Sequence, residues 1–280
     1  MINNFAALDI HISLASQTLF TVFGFHVTNA MVTGAISLVV FLAIFIYVSQ
    51  MVKKGKYNRF VGLVQWAFEG MLAQVYDVIP NREMARKIAP FALTIFFYVL
   101  ISYWISVLPG LESVFYNDVP IIRSIAADMN FTFAISILAL ITVQVYAIRQ
   151  HGHFGNLGRY LRNPFKDPIG SFEGFLELIG EVSRYSALSL RLFGNAFAGE
   201  ILLIIITALT GYLSVVALPV FMAFEVFIGF IQAYVFFILT VIFTALATDS
   251  HGGTEAYSDH TSLPDHSTAA DKRKPVTASE

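Results

Sequence analysis

Three long apolar runs, each closed by charged residues, set the layout of this chain. They are Ala30 to Val52, followed by Lys53, Lys54, Lys56 and Arg59; Ile88 to Leu111, between Lys87 and Glu112; and Met129 to Ile148, between Asp128 and Arg149. A helix needs about 20 apolar residues to cross about 30 Å of hydrocarbon, so each run predicts a membrane helix. Thr28 and Asn29 stand where the first helix needs a cap. A fourth region, Ser171 to Leu209, is apolar but carries Glu173, Glu177, Glu181, Arg184, Arg191 and Glu200. A fifth, from about Leu213 to Thr248, holds one charge, Glu225. Thr210, Gly211 and Tyr212 predict a turn between them, so the last two regions pair as a helical hairpin. As one helix the 39 residues 171–209 would be about 58 Å long. That is nearly twice the hydrocarbon thickness, so the helix must tilt steeply or break.

Between Val61 and Ile79 the pattern changes. Val64, Phe68, Met71, Leu72, Val75 and Ile79 share one helical face, with Gln65, Glu69 and Asp77 elsewhere. This predicts an amphipathic helix, lying either on the inner membrane surface or against the protein's own bundle. The last 32 residues are rich in Ser, Thr, Asp and His and contain no apolar run. A disordered tail is expected there. The expected division is an N-terminal segment 1–28, a membrane domain 29–248 and a tail 249–280. No internal repeat is visible, which weighs against inverted-repeat transporters. The fold class expected is an all-α polytopic membrane protein of about five membrane helices plus the amphipathic one.

Composition agrees. Of 280 residues 56% are hydrophobic and only 13% charged, about half the charge of an average soluble domain. A net charge of −2 gives no case for a nucleic-acid partner. With no Cys, disulfides, thiolate metal sites and cysteine nucleophiles are excluded. Orientation follows from the basic residues. Fourteen of the 17 flank the runs on one side, the cytoplasmic one; Arg123 alone falls on the other, and Arg184 and Arg191 lie inside the fourth region. The N-terminus is therefore expected outside and the C-terminus inside. No nucleophile elbow, zincin or phosphate-loop motif occurs, so no autonomous active site, metal or cofactor is expected. His151-Gly-His153 reads as a solvated loop, and Asn130-Phe-Thr132 opens a membrane helix, which discounts it as a glycosylation site.

The candidate chemistry sits in the hairpin. Arg191 is near the middle of its helix, roughly 30 Å from either end. An arginine there costs at least about 2.5–3.5 kcal/mol and marks a functional site by default. A structural pairing with a neighbouring acid is the alternative. Stepping by three and four gives a stripe of Arg184, Ala187, Leu188, Arg191, Asn195, Ala198 and Leu202, whose small members admit a close neighbour. Glu200, nine positions on, points about half a turn away from Arg191. On the return helix Glu225 and Gln232 share a face. Folding back at Gly211 brings Glu200 and Glu225 to similar depth and Gln232 to the level of Asn195 and Arg191. Two outer carboxylates above a cation with amides suit a water-filled half-passage with a charge barrier at its base. Gln232 also suits an interhelical hydrogen bond, and the two roles are compatible.

The run Leu190 to Glu200, LRLFGNAFAGE, resembles the signature of subunit a of F-type ATP synthases. Ile231 to Phe243, IQAYVFFILTVIF, resembles that family's last helix, and Ala126 to Thr132, AADMNFT, is similar to its third membrane entry. The resemblance implies a stationary Fo subunit in a bacterial cell membrane, with peripheral-stalk b subunits and a rotating ring of c subunits as partners. Two offset half-channels would pass protons to and from the ring carboxylates. Arg191 matches the essential arginine, Asn195 a channel-lining position, Gln232 one beside the arginine, and Glu200 and Glu225 the outer half-channel. Members often carry one Glu and one His at those two outer positions; this chain has Glu at both. The rival expectation is a secondary transporter for a small cation or solute, with Arg191 as its anion or counter-ion site. A structural membrane scaffold is the third.

Overall fold

The computed structural model describes residues 16–108, 115–116, 119–120, 122–160 and 168–248. Among the described residues six helices carry the fold: α1 (Asn29–Lys53), α2 (Arg59–Val78), α3 (Arg82–Val107), α4 (Met129–Tyr160), α5 (Pro168–Thr210) and α6 (Ser214–Thr248). All but α2 correspond to the apolar regions, so the protein is an all-α polytopic membrane protein. The run Ile169–Thr248, 80 residues long, is two of these helices joined by a 3-10 turn at Gly211–Leu213. Gly211 takes a φ of 51° there, a left-handed conformation that glycine adopts without a side-chain clash.

Helix bounds shift where local capping outweighs hydropathy. Thr28 caps α1 by accepting from the Met31 amide at 3.3 Å. Expected from Ile88, α3 begins six residues earlier, because Asn81 Oδ1 accepts from the amides of Glu83 and Met84. The basic residues Arg82, Arg86 and Lys87 thus stand on its first turns. The third apolar run continues helically to Tyr160, through a break at Gly152, where φ is 77°. The loop expected at His151-Gly-His153 is corrected accordingly: the backbone kinks at Gly152 and resumes a helix. Two short hairpins were not expected. Antiparallel β1 (Thr18–Val22) and β2 (Phe25–Thr28) are joined through Phe23 and Gly24, both at positive φ, as a two-residue hairpin turn requires. The other joins β3 (Phe115–Tyr116) and β4 (Val119–Pro120).

Helix α3 is the hub. Tyr103, Phe96, Ile88 and Val99 are 1% exposed or less, and Phe96 meets Phe237 of α6 at 5.9 Å between ring centroids. In hydrocarbon, close packing and hydrogen bonds rather than burial from water hold helices together. Small residues mark the tightest seams. Ala139, Val143 and Ala147 of α4 are buried, and Ser136 of the same helix donates to the Tyr185 carbonyl of α5 at 2.7 Å. On α1 only Asn29, Ala30, Thr33, Gly34 and Ser37 are buried. The rest of that helix presents exposed Val39, Leu42 and Ile46, a face suited to lipid.

Of the two settings left open for α2, packing against the bundle is observed. Val61 and Val75 are fully buried, and Tyr234 of α6 donates to Gln74 Oε1 at 2.7 Å. Its other side leaves Leu63 and Trp66 exposed. The N-terminal hairpin and the α3–α4 connection meet at one end of the bundle, where Ser16 Oγ donates to Asp128 at 2.8 Å and Asn29 Nδ2 to the Pro120 carbonyl at 3.3 Å. The expected tail, 249–280, and the first 15 residues lie outside the described residues.

Candidate ion-translocation site

Helix α5 runs 43 residues without a break, about 64 Å at the usual rise. Of the two expectations for this region, tilting survives and breaking does not. Helix α6 returns against it in a register set by glycine. A Cβ on Gly199 would fall on the Glu225 carboxyl group, and one on Gly229 would strike the Tyr103 ring. Hydrogen at both positions lets α6 close on α5 and α3 while keeping a carboxylate in the seam. The register sets Glu225 beside the residue preceding Glu200, so the two acids lie at similar depth. Continuing it brings Gln232 to the level of Leu192, beside Arg191.

The two carboxylates have different partners. Glu225 is 4% exposed, and Tyr103 donates its hydroxyl to Glu225 Oε2 at 3.0 Å. Trp104, next along α3, donates to the Val226 carbonyl at 3.0 Å, which ties this stretch of α6 to α3 a second time. Glu200 pairs instead with Arg123, Nε to Oε1 at 3.4 Å. Both side chains are largely withdrawn from the surface.

Arg191 points the other way. It is exposed on α5, on a strip with Ala187, Gly194, Ala198 and Leu202. Leu188, expected on that strip, is buried at 3% exposure and lies at its covered edge. Asn195 is half-buried and Gln232 buried at the helix seam. Arg191 makes no ion pair among the described residues, so the structural pairing weighed as its alternative is not observed there. Arg191 and Glu200 lie about 14 Å apart along the helix axis and about half a turn apart around it. One therefore faces outward and the other the bundle. Two turns before Arg191, Arg184 lies over the Phe243 ring, 5.4 Å from its centroid, a cation–π contact that braces the N-terminal half of α5 on the last turns of α6.

Sequence reading missed two of these groups. Tyr103 stands inside an uncharged run where nothing marks it. Arg123 was visible only as the one basic residue on the sparsely charged side of the chain.

A helical bundle with a tilted hairpin, paired carboxylates in its seam and a bare arginine on its outer face defines an integral membrane protein built around ionisable groups. A family model described as "ATP synthase A chain" matches residues 30–245, and the chain belongs to that family. It is similar to "ATP synthase subunit a" of Mycobacterium bovis, 32% identical over 203 residues covering 67% of this chain and 75% of that one. It is also 30% identical to the protein of the same name from Buchnera aphidicola, over 75% of this chain and 79% of that one. That from Mycobacterium ulcerans is 30% identical over 79% and 87%. The chain is thus a multi-pass membrane protein of a family with bacterial members.

Proposed function

We propose that this chain is the stationary ion-conducting subunit of an ATP synthase Fo sector. It passes protons through two half-channels to and from carboxylates on a rotating ring of c subunits, with b subunits as further partners. Membership of the family supports the proton-transporting role. The observation that carries the finer reading is Arg191: a cation at the middle of a membrane helix, exposed and without an ion-pair partner among the described residues. A guanidinium so placed calls for a partner from outside the chain. The small side chains around it let a neighbouring helix come close. A ring carboxylate arriving there gains a transient partner, and the fixed charge bars ions from leaking straight between the half-channels. Glu200, Glu225, Asn195 and Gln232 line the approach from the outer side.

Membranes containing the assembled complex, stripped of its catalytic sector, are expected to conduct protons only when this subunit is present. The purified chain alone in vesicles should conduct nothing and accumulate no solute. Solute uptake by the chain alone would replace this reading with a secondary transporter.

The orientation is part of the proposal: N-terminus outside, C-terminus in the cytoplasm. The chain lacks cysteine, so single cysteines report cleanly. Phe23, 99% exposed at the tip of the β1–β2 hairpin, and Tyr57, 70% exposed between α1 and α2, lie before and after the first membrane helix. Phe23→Cys should react with an impermeant thiol reagent in intact cells, and Tyr57→Cys only in inverted membranes. The reverse pattern overturns the orientation.

A further inference from the structure

The α3–α4 connection is a fixed element. Residues 123–128 are all 9% exposed or less. The Arg123 amide donates to Thr33 Oγ1 at 3.2 Å, and that hydroxyl donates to the Asn29 carbonyl at 3.1 Å. Ile125 occupies space that Gly34 leaves open, where a Cβ would strike its side chain. Asp128 caps α4 by accepting from the Asn130 amide at 2.8 Å and also holds Ser16. Backbone contacts, Ile125 and Asp128 thus hold the turn at several points.

The Arg123 guanidinium pairs with Glu200. Burying a cation is costly unless it is matched, and the carboxylate it meets is the outer one on α5. Glu225 has a neutral hydroxyl partner instead. Protonating Glu200 would break its ion pair, whereas protonating Glu225 exchanges one hydrogen-bonded form for another. The two acids are therefore not equivalent, although they lie at the same depth.

Resting on the reading of the hairpin as an ion path, we propose that Arg123 is a positioning residue of the outer half-channel. It holds Glu200 as its counter-ion, so that protons entering from this side are relayed by Glu225. Two carboxylates side by side without Arg123 would leave two like charges in the passage; the pair leaves one exchanging group.

The test is proton flux per assembled complex, in membranes carrying the whole synthase. Removing one member of a buried ion pair strands the other charge, while removing both does not. Arg123→Gln and Glu200→Gln are each expected to lower flux per complex about tenfold. The double variant should recover to within about threefold of the unmodified complex, since paired groups are not additive. Arg123→Lys, which keeps the charge, should retain most of the flux. A double variant no better than the worse single one would make Glu200 an obligatory relay and overturn the proposal. So would single variants that assemble in lower amounts but conduct normally per complex, the mark of a purely structural pair. Arg191→Ala serves as the control for the underlying reading. If it synthesises ATP normally, the ion path itself is misassigned; if it fails as expected, the Arg123 result stands on its own.

Discussion

Replacing Arg191 with alanine is expected to abolish ion-driven ATP synthesis while the complex still assembles. The side chain is exposed and makes no ion pair among the described residues, and truncating such a group usually changes stability by less than about 0.5 kcal/mol. What is lost is an interaction with a partner. A ring carboxylate about 4 Å away gains roughly 4 kcal/mol from the guanidinium at an effective dielectric near 20. Desolvation offsets part of that, which keeps the pair transient. Without it the ring carboxylate has no reason to release its proton at this interface, and nothing bars protons from crossing between half-channels. Two measurements check this: ATP synthesis driven by an imposed gradient, and passive proton leak after the catalytic sector is stripped. Synthesis should vanish and leak should rise. Normal synthesis in a complex with normal subunit content would sink the assignment of Arg191. Arg191→Lys keeps a charge but loses the planar fork that meets a carboxylate with two hydrogen bonds, so it should restore little.

The legible part of this protein is the part governed by transfer free energy. A run such as 30–52 has no stable place but the hydrocarbon, and α1 extends one residue beyond it at each end. The hairpin at Gly211 was legible too, because a 39-residue apolar region with polar breaks near its end has few ways to fit a bilayer. Arg191 announced itself by its cost in that setting. Less legible was anything decided by one side chain meeting another across the bundle. Tyr103 reaches Glu225 over 122 positions of sequence, and Trp104 reaches Val226 over the same span; no periodicity encodes such a pair. Hydropathy places the start of α3 six residues late because it counts Arg82 and Lys87 against a helix. The Asn81 cap acts on backbone amides and works whether or not the first turn is apolar. Leu188 falls on the strip with Arg191 in a sequence reading because three- and four-residue steps spread over a wide arc of a helix. Only the neighbours decide which edge of that arc is covered, and α4 and α6 cover the Leu188 side.

Glycine carried information that the sequence held but did not display. Gly199 and Gly229 look like ordinary small residues in a membrane helix. Their meaning is that a carboxyl group and a tyrosine ring occupy the space where their side chains would stand. This places Glu225 in a seam closed by packing, so an ion path of the kind proposed would be narrow there.

Glu225→Gln is accordingly expected to slow proton-driven synthesis by about a hundredfold, the usual size of the effect when a positioned acid–base group is removed. Glutamine is nearly isosteric, and its carbonyl oxygen can accept from the Tyr103 hydroxyl as the carboxylate does at 3.0 Å. The fit against Gly199 is therefore kept, and assembly should be unaffected. What disappears is a group that can take up and release a proton. A hundredfold loss corresponds to about 2.7 kcal/mol of added barrier, more than the roughly 2.3 kcal/mol that one charge gains in crossing 100 mV. Raising the driving force within the physiological range should therefore not restore the rate. Passive leak should stay at the level of the unmodified complex, because Arg191 is still in place; this separates a slowed entry from the uncoupling expected of Arg191→Ala. Glu225→His should recover appreciable activity, since imidazole takes up and releases protons near neutral pH. Tyr103→Phe removes the donor but leaves the carboxyl, and should slow synthesis only severalfold, in line with about 1 kcal/mol for a single hydrogen bond. The decisive comparison is the initial rate of synthesis at fixed gradient for Glu225→Gln against Glu225→His. Equal and unimpaired rates for the two would remove Glu225 from the path.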